Sequence, residues 1–152
     1  MSGTGYSNLR KGRYSAAGQI YHVVSRTHQR QKIFSDWALA AAASRAFTSD
    51  QALADSRLLC WVLMPDHAHW LLELGDISTI SALVGRMKSL SAREVRITSD
   101  RGGSIWHPGY YERAMRREDD LVAVARYIIA NPLRANLCSS LRYYPFWNAV
   151  YF

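Results

Sequence analysis

His67 and His69 stand two residues apart in the string HAHWLLEL. On an extended strand that spacing turns both imidazoles to one face and Ala68 to the other. Two neutral imidazoles on one face supply two ligands of a metal site. The plainer alternative is a pair of satisfied polar groups on a sheet, which is the commoner case in an arbitrary sequence. Position favours the ligand reading: the pair follows a Pro65-Asp66 turn and adjoins Trp70, where uncompensated polar groups in a buried sheet are costly. Two histidines leave such a site incomplete. Asn131, near the end of the last predicted helix, offers a hard carbonyl oxygen suited to Mg²⁺ or Mn²⁺. Tyr127 precedes it by four residues, so the two share a helix face about one turn apart. Tyr127 also borders the apolar stripe next to Ile128, where an aromatic more often belongs to the edge of a core.

These residues need elements to hold them. Gln19 to Ser25 has the β-branched and aromatic content of a strand, and Ser35 or Asp36 then caps an Ala-rich helix running to about Ala54. Arg57 to Met64 is a nearly continuous apolar run, as a central strand would be. A tight turn at Pro65-Asp66 joins it to His67–Leu74 as an antiparallel hairpin. Gly75-Asp76 ends that strand and is expected to cap a helix with Ile80, Leu83, Val84, Met87 and Leu90 at helical spacing. After the Arg101-Gly102-Gly103 loop, Ser104 to Arg116 reads as a strand bent at Pro108-Gly109. The last helix starts near Glu118-Asp119-Asp120, acids suited to the positive end of its dipole, and ends or kinks near Asn131 because Pro132 follows. The order β-α-β-β-α-β-α predicts an α+β chain: a ferredoxin-like α/β sandwich with an antiparallel sheet and an extra C-terminal helix. The 152 residues are expected to form a single domain, with residues 1–13 as a flexible basic arm.

The net charge of +7 is distributed unevenly. Residues 1–35 carry +6, residues 36–80 carry −4 and residues 81–152 carry +5. Sixteen of the 19 cations are Arg, and they accompany five Trp and nine Tyr. Arg pairs phosphates with a planar fork and stacks on bases, so this excess points to nucleic acid. It also excludes an acidic tail protein or a disordered chain. Cys60 and Cys138 form no disulfide framework. With no apolar leader segment and no membrane-length run, the expectation is a cytosolic protein.

Four strings, taken in order, carry a family likeness: Tyr21-His22-Val23-Val24; Met64-Pro65-Asp66-His67-Ala68-His69-Trp70-Leu71-Leu72; Trp106-His107-Pro108-Gly109-Tyr110-Tyr111-Glu112-Arg113; and Tyr127-Ile128-Ile129-Ala130-Asn131-Pro132-Leu133. The set resembles the REP-associated tyrosine transposases, relatives of the single-tyrosine HUH transposases of IS200-like insertion sequences, from about Gly12 to Trp147. The resemblance implies that His67 and His69 are the HUH metal ligands, Asn131 a helix-borne third ligand and Tyr127 the nucleophile. The family often has Gln where this chain has His107, and Asn or Glu where it has Asp66. The implied chemistry is metal-dependent cleavage and rejoining of single-stranded DNA through a 5′-phosphotyrosine, with Mg²⁺ or Mn²⁺ as cofactor. The implied partner is a palindromic REP hairpin with a guide sequence at its foot. A monomer is expected over a homodimer, in the cytoplasm of a bacterium and on its nucleoid when bound to DNA.

Candidate phosphate contacts are Arg10, Lys11 and Arg13 on the arm, Arg26 and Arg30 after the first strand, and Arg86, Lys88, Arg93 and Arg96 on the second helix. Each alone is more often a solvated surface charge; together they predict strongly salt-dependent binding. Trp37, Trp61, Trp70 and Trp147 are expected in the core, and Trp106, beside the Pro-Gly bend, is the tryptophan expected to meet a base. Two other functions fit the same residues. One is a structured nucleic-acid-binding module that does not cut; the other is a metallohydrolase using metal-bound water, with Tyr127 structural.

Overall fold

The structure is a computed structural model that describes residues 18–116 and 119–152. The expected arm, with Arg10, Lys11 and Arg13, lies outside the described residues, as does Glu118. Nine elements matter for the site: β1 (Ile20–Arg26), α1 (Trp37–Phe47), α2 (Asp50–Leu53), β2 (Arg57–Met64), β3 (His67–Glu73), α3 (Ile80–Ser99), β4 (Tyr111–Ala114), α4 (Leu121–Ile129) and α5 (Asn131–Arg134). A tenth, β5 (Trp147–Ala149), closes the series.

The strands form one antiparallel sheet in the order β4-β1-β3-β2-β5. The first four follow the ferredoxin-like order, and β5 extends the sheet beyond β2. Central β2 is apolar almost throughout because both of its faces are covered, by helices α1 and α3 on one side and α4 on the other. Alternation sorts the side chains. Tyr21, Val23, Ala68, Trp70 and Leu72 are buried under α1 and α3, where Phe47 packs edge-on against Trp61 and Trp70. His22, Val24, Arg26, His67 and His69 therefore face the opposite side, which α4 only partly covers.

Several element boundaries differ from the sequence expectation. The Ala-rich helix stops at Phe47 rather than near Ala54, and Ser49 caps a separate turn by accepting from Ala52 N. The second long helix starts at Thr79, which accepts from Ala82 N at 3.1 Å, and not at Gly75-Asp76. The Gly75 stretch is otherwise committed. Gly75 N donates to Ser56 Oγ, Ile77 N donates to Asp55 Oδ2, and a Cβ on Gly75 would lie 2.4 Å from Asp55 Cγ. The expected bent strand at 104–116 reduces to β4 and a single bridge between Trp106 and Thr27. Between them the Lys88 ammonium donates to the carbonyls of His107 and Gly109 at 2.6 and 3.1 Å, in place of a strand partner. The last helix is capped by Asp120 and ends at Ile129; Pro132 then sits in the first turn of α5. Among the described residues no helix is long and apolar enough to cross a membrane.

Candidate active site

The β2–β3 hairpin places His67 and His69 on the open face, with ring centroids 5.1 Å apart. Each imidazole is held at Nδ1. His67 Nδ1 donates to Asp66 Oδ1 at 2.8 Å, and Asp66 Oδ2 in turn accepts from Arg30 Nε and Nη2 at 3.2 and 3.1 Å. His69 Nδ1 lies 2.9 Å from His22 Nε2, and those two rings stack with centroids 5.2 Å apart. His22 reaches His69 because Val24 on β1 stands opposite His69, which brings the next residue of β1 on that same open face diagonally beside it.

The surroundings of His69 and His22 disfavour a charge on either ring. Burial, reinforced by the neighbouring charges of His67, His22 and Arg134, pushes His69 down to about 3. Burial, with the nearby Arg113 cation, also lowers His22. For Asp66, burial works upwards, but hydrogen bonds from His67 and Arg30 outweigh it and the carboxyl is held below its ordinary range. With Nδ1 of His67 spent on Asp66, its Nε2 lone pair is free. In the tautomer in which His69 Nδ1 donates to His22 Nε2, the same holds for the second ring.

Helix α4 lies against β2 and β5 through Ala125, Ile128 and Ile129, and Cys60 Sγ reaches Ala125 O at 3.7 Å. This leaves Tyr127 61% exposed, so it is no boundary core aromatic. The Arg134 guanidinium lies over the Tyr127 ring, 4.0 Å from its centroid, while its charge also acts on His69. Asn131 Nδ2 donates to Ile128 O at 2.7 Å, which fixes the amide and leaves Oδ1 without a donor among the described residues.

Among the described residues no group of three or more His, Cys, Asp or Glu side chains is arranged to hold a metal ion. The candidate donors expected from the sequence are of another type: the imidazoles of His67 and His69, and the Asn131 amide oxygen. Those donors suit a divalent cation of the Mg²⁺ or Mn²⁺ class when water and phosphate oxygens complete the shell.

The expected phosphate contacts separate into two groups. Arg26 is exposed on the histidine face, and Arg30 is drawn onto Asp66. Arg86 and Lys88 are engaged within the protein: Arg86 donates to Ala52 O and Ser78 Oγ, and Lys88 donates to the carbonyls of His107 and Gly109. Arg96 donates to Gly103 O, whereas Arg93 is exposed, both on the helical layer across the sheet from the histidines. Trp106 is engaged in the same way. It is only 7% exposed, donates to Ser91 Oγ at 2.9 Å and packs against Phe34 and Trp70. Trp37, expected in the core, is largely exposed and meets Tyr144 and Phe146 edge-on. His22 and Arg134 had no role in the residue-level expectation. The sole signal for His22 was its place in the YHVV string, and for Arg134 its seven-residue spacing from Tyr127.

A family model described as IS200-like transposase matches residues 15–131. Among solved structures, a REP-associated tyrosine transposase bound to a REP hairpin is 20% identical, with 89% of this chain and 79% of that one covered at a TM-score of 0.66. A transposase candidate from Deinococcus radiodurans is 24% identical, with 74% of this chain and 88% of that one covered at a TM-score of 0.55. At these identities the two structures share the fold. No curated protein matches the chain.

Proposed function

The chain belongs to the IS200-like transposases, enzymes of DNA strand transfer, and from that premise we propose that it cleaves and rejoins single-stranded hairpin DNA with Tyr127 as nucleophile. The observation that carries this reading is an exposed Tyr127 under the Arg134 guanidinium, whose charge also reaches His69, in a chain whose histidine pair has its Nδ1 atoms already hydrogen-bonded. The fold neighbour that holds a REP hairpin supports the same class of partner.

His67, His69 and Asn131 would hold a divalent cation, Mg²⁺ or Mn²⁺. When bound, such an ion polarises a non-bridging oxygen of the scissile phosphate and aligns it. The chain's own residues do the rest. Asp66 and His22 hold the two imidazoles by Nδ1, so neither ring turns away as the strand enters. The Tyr127 oxygen forms the new bond to phosphorus; the bond from phosphorus to the 3′ oxygen breaks, and that oxygen leaves as a 3′-hydroxyl after taking a proton. The 5′-phosphotyrosine conserves the ester energy, so a second 3′-hydroxyl can attack it and join strands without a nucleotide cofactor. Arg134, over the tyrosine ring, offers its fork to the phosphate as charge builds on the equatorial oxygens.

The test is a denaturing gel of the protein with a labelled REP-type hairpin oligonucleotide and Mg²⁺ or Mn²⁺. A denaturant-resistant adduct is expected from the wild type, and none from Tyr127→Phe, which should still bind. His67→Ala with His69→Ala should lose cleavage and Mn²⁺ affinity together. An adduct that persists in Tyr127→Phe moves the nucleophile to Tyr110 or Tyr111. Cleavage with no covalent species at any time returns the site to hydrolysis by water.

A further inference from the structure

A groove of about 380 Å³ opens beside the histidine pair, floored by Val24 and Arg26 of β1 and walled by His107, Tyr110 and Tyr111. Its place follows from the register. Val24 stands opposite His69 and Arg26 opposite His67, while Tyr111 stands opposite Val24 on the other neighbour, β4. The groove is therefore on the same face as the histidines and one strand away from them.

Its far wall is preorganised. The 107–109 backbone is pinned by the Lys88 ammonium on the carbonyls of His107 and Gly109, and His107 N donates to Arg26 O at 2.9 Å. Gly109 N donates to His107 Nδ1 at 3.0 Å, which places the ring's own proton on Nε2 as a donor. The lining holds no carboxylate. Arg26 is exposed and pairs with no carboxylate among the described residues, and Tyr111 is 57% exposed although its residue type favours burial. Aromatic faces, a free guanidinium and no acid make a cavity for a flat, π-faced group that carries a negative charge. A base inside a duplex is stacked and paired on both sides, so only an unpaired base can enter.

Resting on the proposed function, we infer that this groove takes one unpaired nucleotide of the DNA strand next to the scissile phosphate, its base stacked on Tyr111 and its phosphate on Arg26. The groove thus fixes where along the single strand the cut falls. Stacking tolerates any base, while the His107 Nε2–H adds a preference for an acceptor on the base edge.

The experiment uses a REP-type hairpin oligonucleotide with single-stranded flanks and the Tyr127→Phe protein, which leaves the strand uncut. Abasic substitutions are walked through the flank on both sides of the position at which the wild-type protein forms its adduct. One position adjoining the cut should lose roughly tenfold in affinity when its base is removed. Adding Tyr111→Ala should abolish that penalty, and Tyr111→Phe should restore it. Arg26→Ala should weaken binding while keeping the abasic penalty. A measurement that needs no further substitution runs alongside: 2-aminopurine at the same position should lose fluorescence on binding, as a stacked base does. An abasic scan with no Tyr111-dependent position, or 2-aminopurine that stays bright throughout, overturns the groove assignment. Failure of the wild type to form any Tyr127-dependent adduct with the parent oligonucleotide overturns the functional reading first, and the groove's role with it.

Discussion

The contact between His22 and His69 joins two imidazoles that both have to stay uncharged. A proton added to either ring would put a positive charge into a half-buried pair already facing Arg113 on one side and Arg134 on the other. The folded value of His69 is about 3 against an ordinary value of 6.5, and that of His22 is also lowered, so the unfolded chain binds more protons than the folded one below pH 6.5. The stability these rings contribute is complete above pH 6.5 and is lost progressively as the pH falls towards 3. Urea denaturation of the metal-free protein should show a loss of up to about 2 kcal/mol between pH 6.5 and 4.5. A protein with His22→Gln and His69→Gln should be flat across that window, and an equal slope in that variant would place the acid sensitivity elsewhere. At this scale the sequence was partly legible. His67 and His69 declare themselves by a spacing of two on one strand. His22 joins them only through the diagonal of a strand pairing that sequence spacing cannot supply, and Arg134 only because the chain continues as α5 past Pro132.

Helix α4 carries the candidate nucleophile on nine residues, a length that is marginal without help. Two features hold it: burial of Ala125, Ile128 and Ile129, and the Asp120 carboxylate, which accepts from Val122 N and Ala123 N at 3.0 and 3.2 Å. Asp120→Ala should therefore cost about 1 kcal/mol in urea denaturation, while Asp120→Asn, which keeps the acceptor, should cost less than half of that. The same substitution should slow adduct formation more than it weakens hairpin binding, because fraying starts at the turn next to the one that bears Tyr127. Element boundaries were legible where capping was local and unopposed, as at Asp36. They failed where a distant group competed. Asp55 and Ser56 claim the backbone at Gly75 and Ile77, so the helix waits for Thr79. Strand β5 escaped notice because three residues are too few for alternation to show, and its partners Cys60 and Val62 lie more than eighty residues earlier.

Composition announced affinity for a polyanion, but the sheet decides which cations can act on one bound at the histidines. Arg93 and Arg96 belong to the helical layer on the far side, and Arg86 is consumed in tying α3 to α2 and to Ser78. Arg26 and Arg134 share the open face with the histidine pair and are exposed. Each single-strand phosphate neutralised contributes about 0.7 to the slope of log affinity against log salt. In the Tyr127→Phe protein bound to a hairpin oligonucleotide, Arg26→Ala and Arg134→Ala should each lower that slope by about 0.7. Arg93→Ala should leave it unchanged. Arg86→Ala should also leave it unchanged, but cost about 1 kcal/mol or more of folding stability by orphaning Ser78 and the Ala52 carbonyl. If Arg93→Ala instead removed as much slope as Arg134→Ala, the DNA would have to wrap past the sheet edge onto the helices. The one-faced arrangement, in which a strand runs from the Tyr111 groove past the histidines to Tyr127, would then be wrong.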